Sequence, residues 1–248
     1  MSKRVAVVTG GIGGLGTEIC KYLARAGRRV VAADLAARQE RIHEFEAETR
    51  EFADAISFEP IDVADFAACG EFVKRVEANY GTVSILVNSA GITRDTSLRK
   101  MTPEQWSDVL RVNLAGVFNT CRHVIDGMTG QGFGRIINIS SVNGQTGQFG
   151  QTNYSASKAG IHGFTMALAR EVAKKGVTVN SVSPGYCNTA LVQAVPEAIR
   201  NQIIANIPVG RLGEPREIAR TVDFLAAEDA GFITGANIPV NGGYFMDF

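Results

Sequence analysis

The sequence predicts an α/β protein built on a doubly wound parallel sheet of about seven strands with helices on both faces. Seven short runs rich in Val and Ile recur along the chain, and longer stretches with helical periodicity separate most of them. Strands that are apolar throughout are typical of a parallel sheet covered on both sides. Since no linker, repeat or low-complexity stretch divides residues 1–248, we expect a single domain of the Rossmann type.

The individual elements follow from apolar runs and from the spacing of apolar side chains. In TEICKYLARAG, the residues Ile19, Tyr22, Leu23 and Ala26 share one helical face, and Gly27 provides a stop. FAACGEFVKRVEANYG and REIARTVDFLAAED are predicted to be further helices. The predicted strands are RVAVVT, RRVVAAD, AISFEPID, SILVNSAG, RIINISS, VTVNSVSPG and ANIPVNGG.

Composition excludes several classes of function. The 25 basic and 25 acidic residues cancel, so no net charge favours nucleic acid or an anionic membrane. Four scattered cysteines without a CxxC pair indicate buried thiols in a reducing compartment, and three scattered histidines predict no metal site. The first apolar run breaks at Thr9, too early for a signal peptide or a membrane span, so we expect a cytoplasmic protein.

The stretch VTGGIGGLGTEIC, which follows the first strand, predicts a phosphate-binding turn. Five of its residues are glycine, and two registers fit: Gly11, Gly13 and Gly16, or Gly10, Gly14 and Gly16. Glycine lets a backbone approach a pyrophosphate closely, and the N-terminus of the next helix offers free N–H groups. A plain tight turn is the alternative, although it does not require so many glycines.

Asp34 ends the second predicted strand at the place where an acid accepts hydrogen bonds from the adenosine ribose hydroxyls. Its carboxylate would repel a 2′-phosphate, so we expect NADH to be preferred and NADPH to be possible. A helix N-cap is an alternative role that is compatible with the first. Arg38 and Arg41 lie just downstream, where either could reach a phosphate.

Two further strand ends are predicted to contact the cofactor. Asp62 follows the third strand, where its carboxylate could accept a hydrogen bond from an adenine amino group. Asn88, Ser89, Ala90 and Gly91 end the fourth strand with small residues, as close approach to a cofactor requires.

A serine, a tyrosine and a lysine are predicted to form a proton-transfer site. The strand RIINISS brings Ser141 to its carboxyl end, where open α/β sheets bind ligands. Tyr154 and Lys158 are spaced i, i+4 and therefore share one face of the following helix. A nearby ammonium favours the phenolate, so Lys158 is expected to lower the pKa of Tyr154. A surface Tyr and Lys on an ordinary amphipathic helix are the alternative.

Together these motifs resemble the short-chain dehydrogenase/reductase family. The resemblance covers residues 5–243 and rests on TGGIGGLG, NSAG, VNLAG, the serine pair before Val142, YSASK and SPG. It favours the glycine register Gly10, Gly14 and Gly16. One departure is Ser89, where the family commonly has Asn; Gly91, which makes the turn, is retained.

The resemblance also implies roles that spacing alone does not single out. Asn113 of VNLAG would hold a water in a proton relay to Lys158, unless its side chain merely satisfies local backbone. Pro184, Gly185 and Thr189 would flank the nicotinamide carboxamide. The full set of candidate cofactor residues is Gly10, Gly11, Gly13, Gly14, Leu15, Gly16, Asp34, Asp62, Val63, Asn88, Ser89, Ala90, Gly91, Tyr154, Lys158, Pro184, Gly185 and Thr189.

The implied reaction is reduction of a ketone with a nicotinamide hydride and a proton from Tyr154. Within the family, the segments GITRD, RKMT, SSVNGQTGQFGQTNYS, HGFTMALA and SPGY resemble the acetoacetyl-CoA reductases of polyhydroxybutyrate synthesis. The 3-oxoacyl-(acyl-carrier-protein) reductases share nearly every motif and are the main alternative. A non-enzymatic dinucleotide sensor is a third, although it would be expected to lose part of the catalytic set. The family is commonly tetrameric, and the apolar tail ANIPVNGGYFMDF suits either a subunit contact or a final core strand.

The loop before Tyr154 supplies candidate substrate residues. Phe149 and Tyr186 could wall a pocket for a four-carbon 3-oxoacyl group, or they could pack at a subunit contact. Cations in GITRDTSLRK, at positions 94, 99 and 100, could meet the phosphates of coenzyme A, or they could be a solvated face. The candidate substrate residues are Asp95, Lys100, Gln148, Phe149, Gln151 and Tyr186.

Overall fold

A seven-stranded sheet forms the centre of the computed structural model, which describes residues 3–246. The strand order is β3-β2-β1-β4-β5-β6-β7, and all neighbouring strands are parallel. The predicted fold class and each of the seven predicted strands are therefore confirmed. The strands are β1 (Val5–Thr9), β2 (Arg29–Asp34), β3 (Ile56–Pro60), β4 (Val83–Asn88), β5 (Gly134–Ile139), β6 (Val177–Pro184) and β7 (Asn237–Val240).

Ten α-helices are assigned within residues 3–246, and the four predicted helices, including the one predicted to carry Tyr154 and Lys158, correspond to α1, α3, α7 and α10. A π-helical turn, Arg111–Ala115, joins α4 to α5. The helices are α1 (Gly14–Arg25), α2 (Gln39–Glu48), α3 (Phe66–Tyr80), α4 (Pro103–Leu110), α5 (Gly116–Gly130), α6 (Asn143–Thr146), α7 (Thr152–Val172), α8 (Ala190–Gln193), α9 (Glu197–Ala205) and α10 (Pro215–Leu225).

The sheet has an apolar core on each face because successive strand side chains point to opposite sides. In β1, Ala6 and Val8 belong to the core cluster shared with α1 and α10. Val5 and Val7 belong to the cluster shared with α3, α5 and α7. This two-sided burial explains why the strands lack polar alternation in sequence.

The strand order reverses between β1 and β4, and this is where a doubly wound sheet binds its ligand. From β1 the chain moves outward through β2 and β3, then returns to place β4 on the other side of β1. The glycine turn after β1 and the small residues after β4 therefore lie next to each other at the carboxyl edge.

Two expectations touch the chain termini. Residues 1, 2, 247 and 248 of the predicted domain lie outside the described residues, as does the end of the tail proposed as a subunit contact. That the whole chain is one domain stays a prediction. Among residues 3–246, no helix combines the length and the apolar character needed to cross a membrane.

Candidate active site

The glycine turn bends sharply and packs against its own backbone. Gly10 has a φ of 64°, a left-handed conformation that favours glycine. A Cβ at Gly16 would overlap the carbonyl oxygen of Gly10, so the first turn of α1 can approach the loop only without a side chain. Gly16 belongs to both predicted registers, and the positive φ of Gly10 favours the second.

Helix α1 begins without a side-chain cap, which leaves its first N–H groups available to a ligand. Its N-cap is Gly13, whose carbonyl accepts the first helical hydrogen bond from Thr17 at 2.8 Å. The free N–H groups and the positive end of the helix dipole are suited to a pyrophosphate.

The end of the cleft that the sequence predicts to hold adenosine is a cavity of about 420 Å³ beside the glycine turn. Asp34 lines it, accepting hydrogen bonds from the Leu35 N–H at 2.8 Å and from Arg38 at 3.1 Å. The N-cap of α2 is Arg38, so the capping role considered for Asp34 is wrong. Arg41 cannot reach a phosphate as placed, because it donates to the Ile12 carbonyl at 2.5 Å and to Glu48 at 2.6 Å.

Eight of the predicted adenosine and turn residues line this cavity, whereas Gly11, Gly14, Gly16 and Asn88 do not. Asn88 is the one that faces away from the cleft. Its side chain is buried below the cleft, where it donates to Asn138 at 2.9 Å and accepts from Thr120 at 2.7 Å. Asn88 therefore ties β4 to β5 and α5 instead of facing a ligand. The candidates that line the cavity are Gly10, Gly13, Asp34, Asp62, Val63, Ser89, Ala90 and Gly91.

A second cavity, of about 500 Å³, adjoins the first and contains the proton-transfer residues. The two cavities share Ser89, Gly91 and Ile92, so together they form one continuous cleft. A Cβ at Gly91 would lie 3.4 Å from Asn113 Oδ1 and 3.6 Å from Lys158 Nζ, which means that glycine keeps this passage open. The candidates that line the second cavity are Leu15, Ser89, Gly91, Ser141, Gln151, Tyr154, Lys158, Pro184, Gly185, Tyr186 and Thr189.

Lys158 is almost completely buried, with 4% of its surface exposed. Its Nζ donates to the Ile139 carbonyl at the end of β5 at 2.8 Å and lies 5.6 Å from the centre of the Tyr154 ring. Burial lowers the pKa of Lys158 to about 8, because removing the ammonium from water disfavours its charged form.

The pKa of the Tyr154 phenol is raised, whereas the sequence predicted that it would be lowered. Burial raises its pKa, the hydrogen bond with Ser141 lowers it, and the charge of Asp95 raises it further. The expected lowering by Lys158 is wrong for this structure, because desolvation of the phenol dominates. The Tyr154 phenol accordingly carries its proton at neutral pH.

Asn113 lies in the π-helical turn and is completely buried. Its Oδ1 accepts from the Ile92 N–H at 2.8 Å, and its Nδ2 donates to the Ile92 carbonyl at 3.0 Å and to Ser157 at 3.2 Å. The side chain thus satisfies local backbone, as the alternative held, and it fixes the loop after β4. Asn113 does not line the cavity that holds Lys158.

The predicted substrate residues divide into two groups. Gln151 and Tyr186 line the second cavity, whereas Gln148, Lys100 and Asp95 do not. Phe149 does not line the pocket either, since 90% of the surface of this residue is exposed. The loop turns Phe149 outward after Gly147, which has a φ of 71°. Asp95 acts indirectly by accepting a hydrogen bond from Gln151 at 2.7 Å.

Sequence reasoning missed two asparagines that organise the site. Asn153, fully buried, accepts from the Tyr154 N–H at 2.8 Å and donates to the Gln105 carbonyl at 3.0 Å. Asn143 lines the second cavity and donates to Gln151 at 2.9 Å. Both flank predicted catalytic residues in sequence, and that adjacency was the signal available.

The chain is similar in sequence to known dehydrogenases and reductases. A family model described as short chain dehydrogenase matches residues 4–200. The chain is 55% identical to an acetoacetyl-CoA reductase of Rhizobium meliloti over 98% of this chain and 99% of the relative, and 51% identical to one of Cupriavidus necator over 99% and 100%. It is 43% identical to a 3-oxoacyl-(acyl-carrier-protein) reductase of Pseudomonas aeruginosa over 98% of each chain.

Proposed function

The chain belongs to the short-chain dehydrogenase family, and we propose that it is an NAD(P)H-dependent reductase that converts acetoacetyl-CoA to (R)-3-hydroxybutyryl-CoA. The observation that carries this proposal is that Ser141, Tyr154 and Lys158 meet in one cavity that continues along the glycine turn. Relatives named acetoacetyl-CoA reductase, aligned over nearly their whole length, support the substrate. The hand of the alcohol follows from resemblance alone.

The side chains of the second cavity would supply the proton and stabilise the charge. When bound, a reduced nicotinamide supplies the hydride to the keto carbon. Tyr154 donates its phenolic proton to the keto oxygen, and its raised pKa keeps that proton available at neutral pH. Ser141 donates a hydrogen bond to the same oxygen and stabilises the negative charge that develops on it.

Lys158 would restore the proton on Tyr154 and bind the ribose next to the nicotinamide. With a pKa of about 8, its ammonium is charged at neutral pH and lies on the same helical face as Tyr154. Asn113 would support this step by holding the Ile92 segment beside the passage at Gly91. The residues proposed to hold the dinucleotide are those that line the two cavities.

We propose that NADH is preferred over NADPH. The support is Asp34, whose carboxylate lines the adenosine cavity where a 2′-phosphate would approach. Arg38 pairs with this carboxylate at 3.1 Å and is itself partly exposed, so it moderates the preference without reversing it. The glycine turn contributes no basic side chain.

The second cavity, where the substrate would bind, would favour a short acyl group on coenzyme A. Tyr186 and Gln151 line the cavity beside Tyr154 and leave a polar, partly aromatic wall. Arg94, which also lines this cavity, is exposed and suited to meet a coenzyme A phosphate at the mouth. The main alternative substrate is a 3-oxoacyl group on acyl carrier protein, because a relative with that name is 43% identical.

The test is a comparison of substrates with the purified chain. We expect reduced nicotinamide to be consumed with acetoacetyl-CoA, with a higher specificity constant than with acetoacetyl-carrier protein or with an eight-carbon 3-oxoacyl-CoA. Chiral analysis of the product checks the (R) configuration. A carrier-protein substrate that outperforms acetoacetyl-CoA would assign the chain to the alternative reaction.

We further propose a homotetramer located in the cytoplasm. Large apolar side chains at the surface, Phe149, Phe224 and Phe232, support burial between subunits. Four buried free cysteines are suited to a reducing compartment. Light scattering of the purified protein gives the subunit number, and a monomeric mass would contradict this proposal.

A further inference from the structure

His162 is a titratable side chain near the cleft that the proposed mechanism does not use. It lies on α7, one turn after Lys158, and does not line the substrate cavity. Its ring bridges two strands: Nε2 lies 3.0 Å from the Ser140 hydroxyl on the β5 side, and Nδ1 lies 3.3 Å from the Ser181 hydroxyl of β6.

The hydrogen bonds of Ser140 fix the tautomer of this histidine. A carbonyl oxygen can only accept, so the Ser140 hydroxyl donates its single proton to the Lys158 carbonyl at 2.9 Å. The same hydroxyl must then accept from His162, which places the imidazole proton on Nε2. Nδ1 is left as an acceptor facing Ser181. Burial, and then the charge of Lys158, lower the pKa of His162, which favours this neutral form.

Ser140 is also one of two consecutive residues, the last of β5 and the one that follows it, that hold Lys158. The Ile139 carbonyl accepts from Lys158 Nζ at 2.8 Å, and the Ser140 hydroxyl donates to the Lys158 carbonyl. The next residue, Ser141, carries the hydroxyl that interacts with Tyr154. Any change in the Ser140 rotamer therefore affects the strand end that orients all three proton-transfer residues.

We propose that His162 is a positioning residue for the reduction site: its Nε2–H locks the Ser140 hydroxyl, and thereby holds the end of β5 against the turn of α7 that carries Lys158. The Ser181 contact anchors the ring to β6: the Ser181 hydroxyl donates its single proton to Nδ1 at 3.3 Å, while Asn237 Oδ1 is satisfied by the Ser183 hydroxyl at 2.7 Å. This inference rests on the proposed function for its kinetic consequence, but the tautomer follows from the hydrogen bonds of Ser140.

Three substitutions of His162 distinguish the contact of Nε2 with Ser140 from the contact of Nδ1 with Ser181. His162→Leu removes both contacts, and it should lower kcat on acetoacetyl-CoA about tenfold, the effect of about one buried hydrogen bond. KM should stay within about twofold, because His162 lies outside the substrate cavity. His162→Gln places an amide N–H near the Nε2 position and should restore kcat to within about threefold of the parent. His162→Asn is too short to reach Ser140 and should behave like His162→Leu.

Thr165→Val is the matched control for a loss of stability. It removes a buried hydrogen bond of the same kind, from Asn138 of β5 to Thr165 of α7 at 2.9 Å, one turn farther from Lys158. It should lower the melting temperature as His162→Leu does while leaving kcat within about twofold of the parent. An equal loss of kcat in Thr165→Val and His162→Leu would reduce the role of His162 to stability and overturn the proposal, as would equal kcat in the Gln and Asn variants.

Nitrogen NMR of the parent protein tests the tautomer independently of activity. The chain has only three histidines, so comparison with His162→Gln identifies the His162 signals. We expect a protonated Nε2 and an unprotonated Nδ1, and a protonated Nδ1 alone would overturn the inference. If the parent fails to reduce acetoacetyl-CoA, the proposed function fails, while this spectrum still decides the hydrogen-bond arrangement.

Discussion

The glycine turn and helix α7 border the same cleft, but they shape it by different means. In the turn, backbone approaches backbone: a Cβ at Gly16 would overlap the Gly10 carbonyl, and α1 begins with free N–H groups. On α7 the site consists of side chains whose chemistry depends on burial, which raises the pKa of Tyr154 and lowers that of Lys158. Substitutions in the turn should therefore affect cofactor binding, and those on α7 should affect turnover.

Gly16→Ala should break the turn and has the largest expected effect on binding. The added methyl would overlap a backbone oxygen that cannot move aside. Overpacking of this kind costs about 1–3 kcal/mol, or about 5–160-fold in NADH affinity. Fluorescence titration with NADH measures it. Gly130→Ala, where a Cβ would meet no atom within 4 Å, is the control and should bind NADH like the parent.

The pH dependence of kcat should reveal the burial of Lys158. Since its pKa is about 8, the ammonium is lost as pH rises through that value, and kcat should fall about tenfold per unit above it. The free energy of unfolding should change in the opposite direction. The unfolded chain binds this proton more tightly, so the contribution of Lys158 to stability rises between about pH 8 and the usual lysine pKa near 10.5.

Activity and chemical denaturation measured across the alkaline range check both directions. A Lys158→Met variant should lose this contribution to the pH dependence of stability. A parent kcat that stays constant to well above pH 8 would mean that Lys158 is not required in its charged form.

Asp34→Ala should narrow the preference for NADH, by about tenfold in the ratio of the two specificity constants. The reason is that the carboxylate lining the adenosine cavity would no longer oppose a 2′-phosphate. Arg38→Ala is the matched control: it removes the cation that pairs with Asp34 and should widen the preference. Equal use of both cofactors by the parent would show that Arg38 outweighs Asp34.

Phe149→Ala should have the smallest effect on turnover, because Phe149 does not line the substrate cavity. Provided that the subunits still assemble, kcat/KM for acetoacetyl-CoA should stay within about twofold, the effect of about 0.5 kcal/mol or less. Tyr186→Ala is the informative partner, since Tyr186 lines the cavity, and it should lower kcat/KM about tenfold. A large loss in Phe149→Ala with retained assembly would place Phe149 against the substrate.

Sequence alone predicted the parts of the molecule in which local rules and tertiary structure agree. The seven apolar runs became seven parallel strands because burial on both faces requires apolar residues throughout. The i, i+4 spacing placed Tyr154 and Lys158 on one helical face, as helix geometry dictates.

The remaining features depended on contacts between distant segments. The outward turn of Phe149, the burial of Asn88 beneath the cleft and the contact of Lys158 with the Ile139 carbonyl leave no periodic signal in the sequence. The pKa of Tyr154 was misjudged for the same reason, because spacing shows the neighbouring ammonium but not the desolvation of the phenol.

The most direct test of the account compares turnover and cofactor binding in Tyr154→Phe. This substitution removes only the phenolic hydroxyl and leaves the ring and Lys158. We predict that kcat on acetoacetyl-CoA falls by about 10²–10⁴-fold, the usual contribution of a general acid, while the Kd for NADH stays within about twofold. Turnover close to that of the parent would contradict the assignment of Tyr154 as the proton donor.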